Sequence, residues 1–458
     1  MTTAGPSPDV RPTGVLPRRV LAGYSLGSLV TGAFGTVPGL LLLPYLTDTL
    51  GVAAGVAGLL VLLPKAWDVL VNPFAGRVSD RRGDRRPFLL GAGLALGVLF
   101  AAIFAGPIRS GAGAGAYVAV AFLTAATAYA FFQVPYVAMP AELTDGYDER
   151  TRLMTWRVAV LALAILISGA LAPLVVDRTG GGIAGHRWSG VFVGALIMVG
   201  TLGVYFGTRS AETHAAGGTE PDLRAQLRIV AANRPFRALL LCWVIQAVGI
   251  GTMLAGVQYF ADHVVRADSG ATFLFAAFVG PALLVMPLWT RVGARFGKPR
   301  SLIAASLLFA TGALALLAAP ALAAIPIYLI VAVIGCGYAG QQVFAMAMLP
   351  DCIAYDTERT GRRQAGVFTG VWTAGETLGL ALGPGIYAWV LQVFGYVSSA
   401  TGRSAPQDAT ARLGVLLGFT LVPAVLVGGA VLLLRAYRDI SRADGVVPPS
   451  DTERDAAR

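Results

Sequence analysis

The chain has 458 residues, of which 56% are hydrophobic and only 13% charged, with a formal net charge of +10. Soluble proteins carry roughly a quarter charged residues, so this balance excludes an ordinary soluble domain and predicts a polytopic membrane protein. The positive excess is not the footprint of nucleic-acid binding, because the basic residues fall in short clusters between apolar segments rather than on one polar domain.

In chain order, residues 1–20 contain Pro and Arg and lack a short apolar core followed by a small-residue cleavage site. They read as a cytoplasmic tail ahead of an uncleaved first helix. A spanning helix needs about 20 mostly apolar residues. Segments of that kind run Ala22–Leu46, Val52–Ala75, Pro87–Ile108, Ala116–Met139, Leu153–Val176 and Trp188–Gly207. A polar stretch at 208–236 follows. Six more segments run Ala238–Phe260, Ala271–Thr290, Ser301–Ala319, Ile325–Leu349, Gly366–Phe394 and Leu413–Leu434, before a polar tail at 437–458. The predicted fold is all-α: twelve transmembrane helices in two six-helix bundles, 21–207 and 237–436.

Lys and Arg set the orientation, because positive residues stay on the cytoplasmic side. The two tails and the even-to-odd connections, counted with Arg157 at the start of the fifth span, hold 28 of the 35 basic residues, so both termini are expected to be cytoplasmic. Cys242, Cys336 and Cys352 lie in or beside apolar segments without close pairing and read as small hydrophobes. His186, His214 and His263 are far apart, in predicted loops, and do not suggest a metal cluster.

The halves repeat one another. "RVSDRRGDRR" at Arg77–Arg86 aligns with "RVGARFGKPR" at Arg291–Arg300, and "YDERTR" at Tyr147–Arg152 echoes "YDTERTGR" at Tyr355–Arg362. Two six-helix units of the same sense imply parallel halves about an axis along the membrane normal, which is transporter architecture. No HExxH, GxSxG or Walker loop is present, so neither an enzyme nor a signalling receptor is expected.

Lys65 and Asp68 interrupt the second span. Measured from its inner end near Gly76, they lie about 16 and 12 Å deep, near the middle of a hydrocarbon layer about 30 Å thick. A charge there costs about 2.5–3.5 kcal/mol on the insertion scale. Three residues apart, the two share a helical face. They form either a packing salt bridge or a cavity-facing pair that takes up a proton or cation. Glu376, about 15 Å into the eleventh span, is a second proton carrier, a partner for Lys65, or a protonated carboxyl in a helix interface. Gln133, Gln246, Gln341 and Gln342 offer amides to hydroxyl groups. Trp67, Tyr129, Tyr136 and Trp372 offer flat faces that stack on sugar rings or serve as packing. Gly76 permits close helix approach, and Asp80 can cap a helix or pair with arginines across the halves.

The loop pattern Gly76, Asp80, Arg81, Gly83 and Arg85 after the second span resembles that of the major facilitator superfamily. Within it, "WDVLVNPFAGRVSDR", "FFQVPYVAMPAEL" and "LPDCIAYDTERTGRRQAGVF" are similar to the glycoside-pentoside-hexuronide:cation symporter family. The likeness runs from about Gly23 to Arg435. It implies that the Gly76–Arg85 latch stabilises an outward-open state, with Ala294 weakening the second-half copy.

It also implies that Asp68 keeps the first of two coupling carboxylate positions. Asn72 and Gln133 stand as amides at two others, Gly32 replaces an aspartate, and Thr377 lies near the usual place of a lysine. Arg157 falls at a position that the family uses near its sugar site, and equally can snorkel to headgroups. Sodium prefers anionic oxygens, and few remain, so coupling to protons through Asp68, or none, is expected ahead of sodium. The implied activity is alternating-access symport of a sugar or glycoside across the cell membrane, by a monomer without cofactor or metal. A lysolipid-like amphiphile and proton-linked drug export are the alternatives.

Overall fold

The computed structural model describes residues 16–80, 86–144, 147–209, 211, 223–267, 269–360, 365–399 and 405–443, some positions within helices by backbone alone. The described chain is helical throughout. The first half contains α1 (Arg18–Val37), α2 (Ala54–Asp80), α3 (Arg86–Ile103), α4 (Gly111–Leu143), α5 (Tyr147–Arg178) and α6 (Gly182–Thr208). A short α7 (Leu223–Ala232) leads into α8 (Arg234–Phe260), α9 (Gly270–Phe296), α10 (Lys298–Ala315), α11 (Ala324–Thr360) and α12 (Ala365–Val393). The last apolar run is split into α13 (Ala409–Phe419) and α14 (Leu421–Ala443).

Among the described residues, ten helical segments are long and apolar enough to cross a membrane. Their outer faces are apolar too: Leu284 is 84% exposed, a value that suits lipid rather than water. Prolines inside α4, α5, α9, α11 and α12 are accommodated without ending the helices, as is common where neighbouring helices re-satisfy the freed backbone groups. At Pro38–Leu42 and Tyr45–Thr49 the backbone instead widens into π turns, which carry α1 on to Thr49.

Each half packs mainly within itself. α1 rests on α5 and α6, α3 on α4 and α6, and α2 on α4. In the second half α8 rests on α12 and α14, and α11 on α9 and α10. Glycines permit the closest crossings. A Cβ placed on Gly23 would lie 2.4 Å from Gly207 Cα, and one on Gly383 would lie 2.3 Å from Gly251 C. Between the halves the main contacts are α2 with α12 and α5 with α9.

Several expectations are corrected in detail. His186 does not lie in a loop: it is buried in α6, with its ring 4.7 Å from that of Tyr45. His263 lies in a π turn that extends α8. The polar stretch 208–236 contains α7, whose apolar residues repeat at helical spacing. The last span breaks at Thr420, whose hydroxyl donates back to Leu416 O at 2.7 Å, a competing bond of the kind that bends helices. The three cysteines are free, two buried and one half-buried.

Candidate functional site

The contact of α2 with α12 orients the charged segment of α2. Gly58 meets Ala388 and Gly385, and Gly55 meets Gln392, in an antiparallel register. At about 100° per residue, the backbone positions of Lys65, Asp68 and Asn72 return to within about a quarter turn of Gly58, on the side that meets α12. Their depth matches as well: continued along α12, the register sets Glu376 level with the turn that holds Asp68 and Asn72. Asn72 is exposed. The side chains of Lys65, Asp68, Gly76 and Asp80 lie outside the described residues, as do Arg81, Gly83 and Arg85 altogether.

Trp67 is placed on another face. Next to Asp68 in sequence, it is rotated by about 100° and faces away from Gly58. Its indole Nε1 donates to Thr127 Oγ1 at 3.0 Å, and its ring lines an apolar groove of about 650 Å³ with Phe88 and Phe131, between α2, α3 and α4. The groove is lined by residues of the first half alone, on the side of α2 away from α12.

Glu376 sits on the side of α12 that carries Gly375, Gly379 and Gly383, the glycines that meet α8. That side is turned from α2, so Glu376 and Lys65 share a depth but occupy diverging faces. Glu376 is half-buried and, among the described residues, makes no hydrogen bond or ion pair. It is within electrostatic reach of Tyr338 on α11, whose hydroxyl accepts from Gln342 Nε2 at 2.5 Å. Sequence reasoning missed Tyr338, which shows only as one aromatic in an apolar run.

Three predicted platforms stack on neighbouring rings. Trp372 is buried and stacks on Trp243 at 5.2 Å, where α8 and α12 meet. Tyr136 is buried and stacks on Tyr24 at 4.7 Å. Tyr129 is half-buried and stacks on Phe34 at 4.4 Å. Gln341 is buried, and neither of its amide atoms has a partner among the described residues. Gln246, equally buried, donates to Ser306 at 2.9 Å. Thr377 is half-buried on α12.

Arg157 does not reach outward to headgroups. Its guanidinium carbon lies 5.2 Å from the centre of the Tyr136 ring, and Nη1 approaches Met154 Sδ at 3.8 Å. Tyr136 is itself fixed: its hydroxyl donates to Tyr24 O at 2.9 Å and lies 3.1 Å from Ser28 Oγ. Ser28 Oγ in turn donates to Arg157 O at 3.0 Å. α1, α4 and α5 thus hold one cation against one aromatic face.

A second polar cluster, invisible to sequence motifs, joins the two halves at and just beyond the C-terminal ends of α1, α8 and α12. Thr47 Oγ1 and Tyr259 OH are 2.7 Å apart, Tyr396 OH donates to Asp48 Oδ1 at 3.0 Å, and His263 Nε2 lies 3.1 Å from Tyr396 OH. The backbone joins in, with Ser399 N donating to Thr47 O at 2.9 Å. Nearby, Gly55 N donates to Gln392 Oε1 and Thr272 Oγ1 to Ala170 O. Burial, reinforced by the Asp48 carboxylate, pushes the Tyr396 phenol well above its ordinary pKa and keeps it a donor. Among the described residues, hydrogen bonds between the halves gather at this end.

The sequence of the whole helical region matches one family profile, described as MFS/sugar transport protein, over residues 23–439. The chain belongs to that family. It is therefore a multi-pass membrane transporter of the major facilitator superfamily and not an enzyme, and in a bacterial cell its membrane is the plasma membrane. The chain is 28% identical to the candidate glycoside/cation symporter YagG of Escherichia coli K12, with 91% of each chain covered. It is 25% identical to the glucuronide carrier protein homolog of the same organism (88% and 89% covered), and 24% identical to the isoprimeverose transporter of Lactiplantibacillus pentosus (94% and 92%). In fold it is similar to the inward-facing, unoccupied structure of a bacterial homolog of the human lysosomal transporter Spinster. That likeness has a TM-score of 0.67 at 15% identity, covering 94% of this chain and 98% of the other.

Proposed function

We propose that the protein carries a sugar or glycoside together with a proton by alternating access, with Asp68 as the principal protonation site. The observation that carries this reading is the placement of Asp68, Asn72 and Lys65 on the face of α2 turned to the other half, level with Glu376. Ionisable groups at such depth are retained where they line a path between bundles. Protons suit the site better than sodium, because Asn72 and Gln133 supply neutral amides where a hard cation needs anionic oxygens.

Twelve spans with both termini in the cytoplasm complete the reading, and a monomer suffices for it. In that orientation the Thr47–Tyr259 and Asp48–Tyr396 cluster closes the external side, and the described conformation faces the cell interior. The Gly76–Arg85 loop, on the inner side, latches the opposite state. Arg157, Gln133 and Thr377 contribute to the substrate site.

Proteoliposomes containing a pH dye test this directly. On addition of a panel of glycosides, uptake accompanied by proton movement is expected, and Asp68→Asn abolishes the proton signal. Sugar uptake without any pH change in the unmodified protein would show facilitated diffusion instead. A pH signal elicited only by cationic drugs would make the protein an exporter.

A further inference from the structure

The cluster between the halves is an ordered chain as well as a clasp. Tyr396 has one hydroxyl proton and gives it to Asp48 Oδ1 at 3.0 Å, so the 3.1 Å bond between its oxygen and His263 Nε2 is donated by the imidazole. That network assigns the tautomer: His263 Nε2–H points to Tyr396, and Tyr396 O–H points to Asp48. Exposure falls along the same line. His263 is half-buried and stands near the exposed Asp262 and Arg266, whereas Tyr396 and Asp48 are 7% and 6% exposed. Donors aimed one way, from the surface to a buried carboxylate, form a path along which a histidine can shuttle a proton.

The neighbouring charges favour passage over storage at the first two stations. Arg266 and Arg412 are within electrostatic reach of His263 and oppose a lasting positive charge on its ring. Burial and the Asp48 carboxylate oppose a lasting phenolate at Tyr396. Around Asp48, Tyr259 of α8 and Tyr387 of α12 are within electrostatic reach and bring hydroxyls, while Asp262 accepts from Gln258 Nε2 at 3.0 Å. On the first-half side, Arg187, Tyr117 and the His186 ring gather about Tyr45, and residues 54–63 of α2 contain no ionisable side chain.

We infer that His263, Tyr396 and Asp48 form a proton-uptake path on the external side, and that protonation of Asp48 loosens the closure there. A proton from water adds to His263 Nδ1, the Nε2 proton passes to the Tyr396 oxygen, and the Tyr396 proton passes to Asp48. His263 and Tyr396 end neutral, the imidazole as its other tautomer, and the carboxylate becomes a carboxylic acid. The bonds then run in the reverse order, without the charge that makes such a contact roughly twice as strong as a neutral one. The charged form therefore favours closure, which is held at neutral pH and lost as the external pH falls. Protons bind the open form preferentially and draw the unloaded carrier outward. The inference rests on the carrier reading above, which makes this end external and movable, and adds a site separate from Asp68.

The test is a distance between nitroxides on Ile108 and Leu322, exposed residues in the external connections of the two halves, measured on the full chain in nanodiscs without substrate. From about pH 7.5 to about pH 5 the ratio of the longer to the shorter distance should rise roughly tenfold. Asp48→Asn should give the longer distance at both pH values, and Asp68→Asn should leave the response intact. If the Asp48 variant does not fold, Tyr396→Phe serves, because it cuts the chain and should also flatten the response. With fluorophores at the same positions, His263→Gln should slow the response to a pH jump several-fold without moving its end point. An unmodified protein that ignores pH, a response that survives in Asp48→Asn or Tyr396→Phe, or an unchanged rate in His263→Gln would overturn the inference. A substrate-driven distance change that persists in those cases would leave the carrier reading standing; distances fixed against both pH and substrate would remove the two together.

Discussion

Tyr396 shows how one phenol ties two bundles together. It donates to Asp48 of the first half and meets His263 of the second, and burial with the neighbouring carboxylate keeps it protonated across the physiological range. A hydrogen bond to a charged group is worth about 1.5–3 kcal/mol. Tyr396→Phe should therefore move the closed-to-open equilibrium at this end by roughly ten- to a hundredfold. An impermeant maleimide added from that side should label a cysteine placed at Thr31, buried on α1 one turn from Ser28, faster by a similar factor; an unchanged rate would mean that apolar packing alone holds the closure. None of this was legible in advance. Asp48 and Tyr396 are 348 residues apart, in short turns without periodicity, and nothing local marks them as partners. The direction of Trp67 was hidden for a different reason: it depends on which face of α2 meets α12, and that is a tertiary fact.

The helices themselves were readable because a bilayer demands runs of about 20 apolar residues, and such runs stand out against short basic connections. α12 illustrates the agreement, expected at Gly366–Phe394 and found at Ala365–Val393. What the apolar count conceals is breaks and additions. Apolar residues run without pause through Thr420, so the split of the last segment left no compositional mark, and the ten residues of α7 are too few and too polar to register as a span. The close crossings are legible only once partners are known. Gly383→Val would drive a side chain into the Gly251 backbone, and overpacking of this kind costs about 1–3 kcal/mol. A lowered thermal midpoint in detergent is expected, whereas Leu284→Ala on the exposed face of α9 should leave it unchanged. Equal midpoints would show that the α8 and α12 contact is dispensable.

At the scale of the whole molecule, charge accounting links the coupling site to the substrate site. One proton carried with one monoanion moves no net charge, whereas one proton carried with a neutral sugar moves one, worth about 2.3 kcal/mol per 100 mV. Proton-coupled uptake of a neutral glycoside should thus be accelerated by an interior-negative potassium diffusion potential as well as by the pH gradient. No acceleration by an interior-negative potential would signal an anionic cargo or uptake without a proton. The repeat of the halves, visible in the two basic loops, already implied parallel bundles. Only the structure shows the conformation in which those bundles meet. The most direct test is the distance between spin labels placed on the two halves, one pair beside Thr47 and Tyr396 and another at the opposite ends of α2 and α12, with and without substrate. The account predicts that substrate and protons together lengthen the first distance while shortening the second. Both distances staying fixed, or both changing in the same direction, would contradict alternation between two rocking halves.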